Sequence, residues 1–160
     1  MKSMFAYECL GTYGVYGHDD GGFSVEITPD GRIIYKSYLL GEILKSEDEY
    51  QLSESSVQMI KSTLSEYKDQ ISSFKKEYYN GSCDGSWNKF SFSGKKITTL
   101  NAFYMDEIEI EHLKSQDEAY FYEMSDVIEA ENKLIEIFEA ISKILLQDGY
   151  SLQLHGFRVE

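Results

Sequence analysis

Apolar and polar residues alternate through Phe23-Ser24-Val25-Glu26-Ile27, the period-two signature of a strand buried on one face. Thr28-Pro29-Asp30-Gly31 follows, in which proline presets φ at the second turn position and Asp and Gly accept the remaining geometry. Arg32 to Leu40 resumes the strand pattern, so a β-hairpin is predicted. Upstream, Met4 to Leu10 is mostly apolar and reads as a further strand ahead of the glycine-rich stretch Gly11 to Gly22. A second hairpin is predicted where Trp87 to Phe92 alternates, Ser93-Gly94-Lys95-Lys96 turns and Ile97 to Tyr104 resumes.

Between the hairpins the period changes. Val57, Ile60, Leu64, Tyr67, Ile71 and Phe74 recur at spacings of three and four, which places them on one face of a helix. Ser53 is a suitable N-cap, and Leu52 and Val57 have the spacing of a hydrophobic staple. The turn formers Asn80-Gly81-Ser82-Cys83-Asp84-Gly85-Ser86 end this region. A second helix is predicted from near Asp126, where Asp126 and Glu129 have capping-box spacing. It continues through Val127, Leu134, Phe138, Ile141 and Leu145, with Ile137 and Ile144 widening the apolar face. Gly149 supplies the residue after the C-cap, and Leu145 and Tyr150 are placed for the contact of a Schellman ending. Ser151 to Phe157 alternates as a last short strand. Strands joined by hairpins, without βαβ alternation, predict the α+β class: an antiparallel sheet packed against two amphipathic helices.

Length and composition narrow the class. At 160 residues the chain has the size of one domain, spanning 1–160, and folding at that size buries roughly 70% of the unfolded surface. A hydrophobic content of 42% with 14% aromatics argues against intrinsic disorder. No apolar run approaches the roughly 18 residues that span a bilayer. Glu8 interrupts the segment where a secretory signal needs unbroken apolar residues. The two cysteines, Cys9 and Cys83, form no C-x-x-C pair, so a cytoplasmic chain with reduced thiols is expected. The 28 acids against 15 bases give a net charge of −13, which argues against nucleic acid as the partner, since affinity there rests on cations neutralising phosphates.

No catalytic signature emerges. The glycines at 11, 14 and 17 match neither a dinucleotide-binding fingerprint nor a P-loop. His18-Asp19-Asp20 in the same stretch is a candidate divalent-cation site and the centre of an alternative, metal-dependent enzymatic reading. The plainer reading is a connection between strands, because adjacent residues seldom all point at one ion. His18, His112 and His155 are scattered without zinc-site spacing, so no metal or other cofactor is expected. Cys9, in an apolar strand, reads as core; Cys83, in the turn-forming run, reads as the exposed thiol.

Charge distribution discriminates further. From Asp106 to Glu139 there are twelve acids against Lys114 and Lys133, so 34 residues carry −10 and the other 126 carry −3. Asp106-Glu107-Ile108-Glu109-Ile110-Glu111-His112 alternates; if extended, it sets Glu107, Glu109 and Glu111 on one face. Asp117, Glu118, Tyr120, Tyr122 and Glu123 follow, interleaving acids with aromatics. An ordinary solvated face accounts for such charge. The functional reading is a surface steering a basic protein into contact, with Tyr120 and Tyr122 as anchors.

A small acidic, tyrosine-rich α+β chain of this kind resembles the immunity proteins of bacterial polymorphic-toxin and contact-inhibition systems. Its nearest approach to a motif is Asn80-Gly81-Ser82-Cys83-Asp84-Gly85-Ser86-Trp87 followed by Phe90-Ser91-Phe92. The resemblance implies a non-enzymatic inhibitor of a basic toxin. It carries over no functional residues, because inhibitor residues in such families vary from pair to pair. The expected partner-binding set is therefore Glu107, Glu109, Glu111, Asp117, Glu118, Tyr120, Tyr122 and Glu123. A structural or accessory oligomer is the third reading.

Overall fold

The structure, a computed structural model, describes residues 2–10, 21–79, 87–100, 104–154 and 156–160. The first four strands, β1 (Phe5–Leu10), β2 (Gly22–Ile27), β3 (Arg32–Leu39) and β4 (Ile43–Gln51), form an antiparallel meander. The predicted turn joins β2 to β3: the Gly31 N–H donates to Thr28 O at 2.9 Å, and Gly31 adopts φ +87°, the conformation that requires glycine there. β4 lies beyond the predicted elements. Its sequence, ILKSEDEYQ, lacks a buried apolar stripe because it is an edge strand, and charge on an edge strand discourages pairing with other chains.

The first helical region is capped as expected, with Ser53 accepting from the Ser56 N–H at 3.2 Å and Leu52 and Val57 both buried. It is not one helix, however. α1 (Glu54–Glu66) ends at Tyr67, whose backbone leaves helical geometry, and α2 (Lys68–Ser73) follows. The apolar face survives the break, since Leu64, Ile71 and Phe74 are all buried. Next come the two-residue β5 (Glu77–Tyr78) and the second hairpin, β6 (Trp87–Phe92) and β7 (Lys95–Leu100). Its loop is shorter than predicted: Ser93 and Gly94 form a two-residue turn with φ of +50° and +89°, and Lys95 and Lys96 already belong to β7. That pair of positive φ values matches the right-handed twist of the flanking strands.

The remaining helices are α3 (Glu107–Gln116) and α4 (Glu118–Gln147), followed by β8 (Tyr150–Gln153) and β9 (Gly156–Val159). α4 therefore begins eight residues before the predicted start. Asp126 sits inside the helix and is not its cap; the capping box lies instead at Asp106 and Glu109, ahead of α3. Gly149 does end α4, at φ +88°. The predicted final strand over 151–157 is two strands paired as a separate hairpin.

The main sheet has the order β4-β3-β2-β1-β6-β7-β5, antiparallel except for the parallel β5–β7 pair. Inward-facing Phe5, Tyr7, Val25, Ile27, Ile33, Phe90, Phe92 and Ile97 are fully buried under α1 and α4. Phe138 of α4 packs over the centre, its ring 4.9 Å from Tyr7 and 5.8 Å from Phe90. The β8–β9 hairpin covers the β3–β4 end, where Phe157 meets Tyr35 at 4.7 Å and Tyr150 meets Tyr50 at 5.6 Å. The opposite face is solvated and carries exposed cross-strand ion pairs, Lys36–Glu47 at 3.6 Å and Lys89–Glu8 at 3.9 Å. Cys9 is buried as expected of core; Cys83 lies outside the described residues. No helix among the described residues is long and apolar enough to cross a membrane.

One contact ties the helical layer to itself. The Asp148 carboxylate, just past α4, accepts from the Ser53 N–H at 2.8 Å and from the Ser53 hydroxyl at 3.1 Å, joining the end of α4 to the start of α1. Burial raises the pKa of this carboxyl, but the hydrogen bonds from Ser53 and Ser56 outweigh it and hold the group below its ordinary 3.8. A depressed carboxyl contributes stability that is complete above its unfolded pKa and is lost as pH falls through its folded value. Asp148→Ala should cost about 1 kcal/mol near neutral pH for a partly exposed contact of this kind. In urea titrations repeated from neutral to acid pH, the gap between wild type and variant should close in the acid range; a gap independent of pH would refute the assignment.

Candidate functional site

The acidic segment is helical, and its conformation follows from local chemistry. Glutamate favours helix over strand, and Asp106-x-x-Glu109 closes a capping box: Asp106 accepts from the Glu109 N–H at 2.8 Å, and Glu109 accepts from the Asp106 N–H at 2.9 Å. In a helix, residues two apart lie on nearly opposite faces, so the Glu-Ile alternation cannot sort charge from apolar surface. Ile110 and Leu113, three apart, are half-buried, whereas Ile108 is left 80% exposed. Glu107 and Glu111, four apart, share a face that Glu109 does not.

α3 and α4 are joined through one residue. Asp117 donates its N–H to Leu113 O at 2.8 Å, ending α3, and accepts from the Tyr120 N–H at 3.1 Å, starting α4. At the other end of α3, the Asn132 side chain grips Met105 twice, accepting from its N–H at 2.9 Å and donating to its carbonyl at 2.8 Å. The pair of helices encloses a cleft of about 400 Å³ with Ile110, Phe121 and Ile128 in its walls.

This helical pair is an arm. None of the ten residues of α3 is buried, and the buried residues of α4 begin only at Ala130. The twelve residues of α4 before that point correspond to about 18 Å of helix. The arm root is anchored by Glu131, 2% exposed, which accepts from the Thr99 hydroxyl at 2.7 Å. One of the twelve acids of the sequence cluster is thus a structural group inside the protein. Nearby, burial first and the Glu136 carboxylate second hold the Tyr67 hydroxyl above its usual pKa.

All eight residues of the expected partner-binding set are exposed. The structure divides them by role. Glu109 and Asp117 spend carboxylate oxygens on caps, whereas Glu107, Glu111, Glu118 and Glu123 make no ion pair with a described residue. Glu118, Tyr122, Asp126 and Glu129 follow one another at helical spacings of four, four and three, so Tyr122, 60% exposed, stands within an acidic stripe. Tyr120 lies one turn from Glu123 on the adjoining face. Ile108 and Tyr104, both exposed on the arm, were absent from the expected set. The signal for Ile108 was present in the alternation, but it becomes surface only once the segment is helical.

Because no residue of α3 is buried, its caps should govern its local stability. Asp106→Ala should weaken the helix by about 1 kcal/mol, so amides of its first turns should exchange about fivefold faster with deuterium. Amides of β1 and β6 should be unaffected; equal acceleration there would show that α3 is integral to the global fold.

His18-Asp19-Asp20, the segment 80–86 and His155 lie outside the described residues. His112 is exposed on α3. Among the described residues no group of three or more His, Cys, Asp or Glu side chains is placed to hold a metal ion. No protein-family model matches the chain, and a search of curated proteins finds no significant match.

Proposed function

We propose that the α3–α4 arm is a docking surface for a basic protein, and that the chain acts as a non-enzymatic, immunity-like inhibitor of such a partner. The observation that carries this reading is the exposure of carboxylates and large apolar groups together on an element that contributes little to the core. Ordinary solvating charge needs no apolar companions, yet Ile108 and Tyr122 are exposed between Glu107, Glu111, Glu118 and Asp126. Apolar and tyrosine side chains lose water on contact and supply affinity, while surrounding carboxylates raise the encounter rate with a cationic partner and disfavour acidic ones.

The test is co-purification with the products of the adjoining genes, in low and high salt, the reading requiring that a basic protein be among them. Wild-type chain should retain that basic protein at low salt and lose it progressively as salt rises; retention of none would count against the reading. Equal recovery by wild type and by a Glu107→Lys, Glu111→Lys, Tyr122→Ala variant would overturn the reading.

A further inference from the structure

At the β6–β7 end, the face of the sheet opposite the helices gathers positive charge. Register pairs Trp87 with Leu100, Lys89 with Thr98 and Ser91 with Lys96, which sets Trp87, Lys89, Thr98 and Lys96 on the same solvated face of β6 and β7. Lys76 is brought to this edge because its carbonyl accepts from the Thr98 N–H at 2.9 Å, and Lys95, whose register partner is the inward-facing Phe92, borders it at the strand end next to the Ser93-Gly94 turn. Together they line a trough of about 760 Å³. A fifth ammonium lies at its end: a Cβ on Gly94 would come within 2.4 Å of Lys2 Nζ, so Lys2 rests directly on the turn. Glu77 is the one carboxylate among the described residues of the lining. Lys89 reaches Glu8 at 3.9 Å, and Lys76, Lys95 and Lys96 pair with no described carboxylate. In a chain with almost twice as many acids as bases, four lysines gather around one concavity walled by the chain's only tryptophan.

We propose that this trough binds a nucleotide, its phosphates on Lys89 and Lys96 and its base against Trp87. Ammonium groups recognise phosphate oxygens as point charges, and an indole face stacks on a flat heteroaromatic ring. The net charge of −13 is no obstacle to a ligand that fits within the trough, because exposed charges more than about 8–10 Å away are largely screened at physiological salt. A long polyanion, by contrast, also meets the acids elsewhere on the molecule. The net charge of the sequence therefore excludes extended nucleic acid more strongly than it excludes a mononucleotide.

Trp87 is its own reporter, since the chain contains no other tryptophan. Three probes are titrated into the full chain: ATP, inorganic triphosphate and a short oligothymidylate. ATP should quench the fluorescence saturably and salt-sensitively, and triphosphate should compete while quenching little. Lys89→Gln with Lys96→Gln should weaken ATP binding at least about tenfold, and Trp87→Phe, read by calorimetry, should leave more of the affinity than Trp87→Ala, which should lose about fivefold or more. Thermal melts of each variant establish that the sheet is intact. Tighter binding of oligothymidylate than of ATP would overturn the assignment to a mononucleotide. Absence of saturable ATP binding, triphosphate binding as tightly as ATP, or binding unchanged in the lysine variant of intact fold would likewise overturn the proposal.

Discussion

Phe138→Ala should lower the free energy of unfolding by about 3–5 kcal/mol, the range expected when a fully packed aromatic ring is removed from a core. Phe138 is 2% exposed and sits in the middle of α4, with Phe5, Tyr7 and Phe90 all within ring-contact distance. Those three residues lie on β1 and β6, the two central strands, so the cavity would open where backbone on both sides is held by ladder hydrogen bonds and cannot collapse inward. The loss would be a large share of the roughly 5–15 kcal/mol that stabilises a typical domain. Urea denaturation followed by circular dichroism measures it, with Phe138→Leu as the companion that leaves most of the volume filled and should cost clearly less. A loss below about 1 kcal/mol for Phe138→Ala would mean that α4 does not seat on the sheet at this point.

The second large effect is kinetic. If the arm docks a basic protein, then reversing Glu107, Glu111, Glu118 and Glu123 to lysine should slow association at least about tenfold at low ionic strength, since steering by complementary fields accelerates encounter by about 10 to 1,000-fold. The difference should shrink as salt rises, because these carboxylates are exposed and screened. Tyr122→Ala should act differently, raising the dissociation rate while leaving association nearly unchanged, as expected of a desolvated anchor. Glu109 and Asp117 are left untouched in this design: both hold helix ends, and their replacement would confuse unfolding of the arm with loss of docking. Stopped-flow mixing with the partner at two salt concentrations separates the two rates, and identical association for wild type and the quadruple variant would sink the steering argument.

Elements whose signal is local were legible. The Thr28–Gly31 hairpin, the Ser53 cap and the Gly149 stop each depend on residues within a few positions of one another, and all three stand in the structure. β4 was not legible because an edge strand exposed on most of its surface needs no apolar alternation. The α4 start was misplaced because Asp126 and Glu129 have the same spacing as a capping box, while the helix continues past them on the strength of packing against α3. The site was legible as composition: charge and tyrosines marked the segment 106–123. Which of its acids are caps, which one is buried and which are exposed beside apolar groups could not be read along the chain.

Three things followed from sequence alone: an α+β chain built on hairpins, a well-populated apolar core, and a charge concentrated in one stretch. Periodicity and net charge are sums over neighbouring residues, so they survive without coordinates. Tertiary structure decided the rest. It settled which acids of the α3 helix are spent on caps and which stand free, because the seam with α4 at Asp117 joins two elements. It took Glu131 out of the acidic surface by giving it Thr99 as a buried partner. It also assembled Lys89 and Lys96 on the face of Trp87 with Lys76 at the edge, since strand register, which depends on pairing between distant segments, sets which side chains share a face.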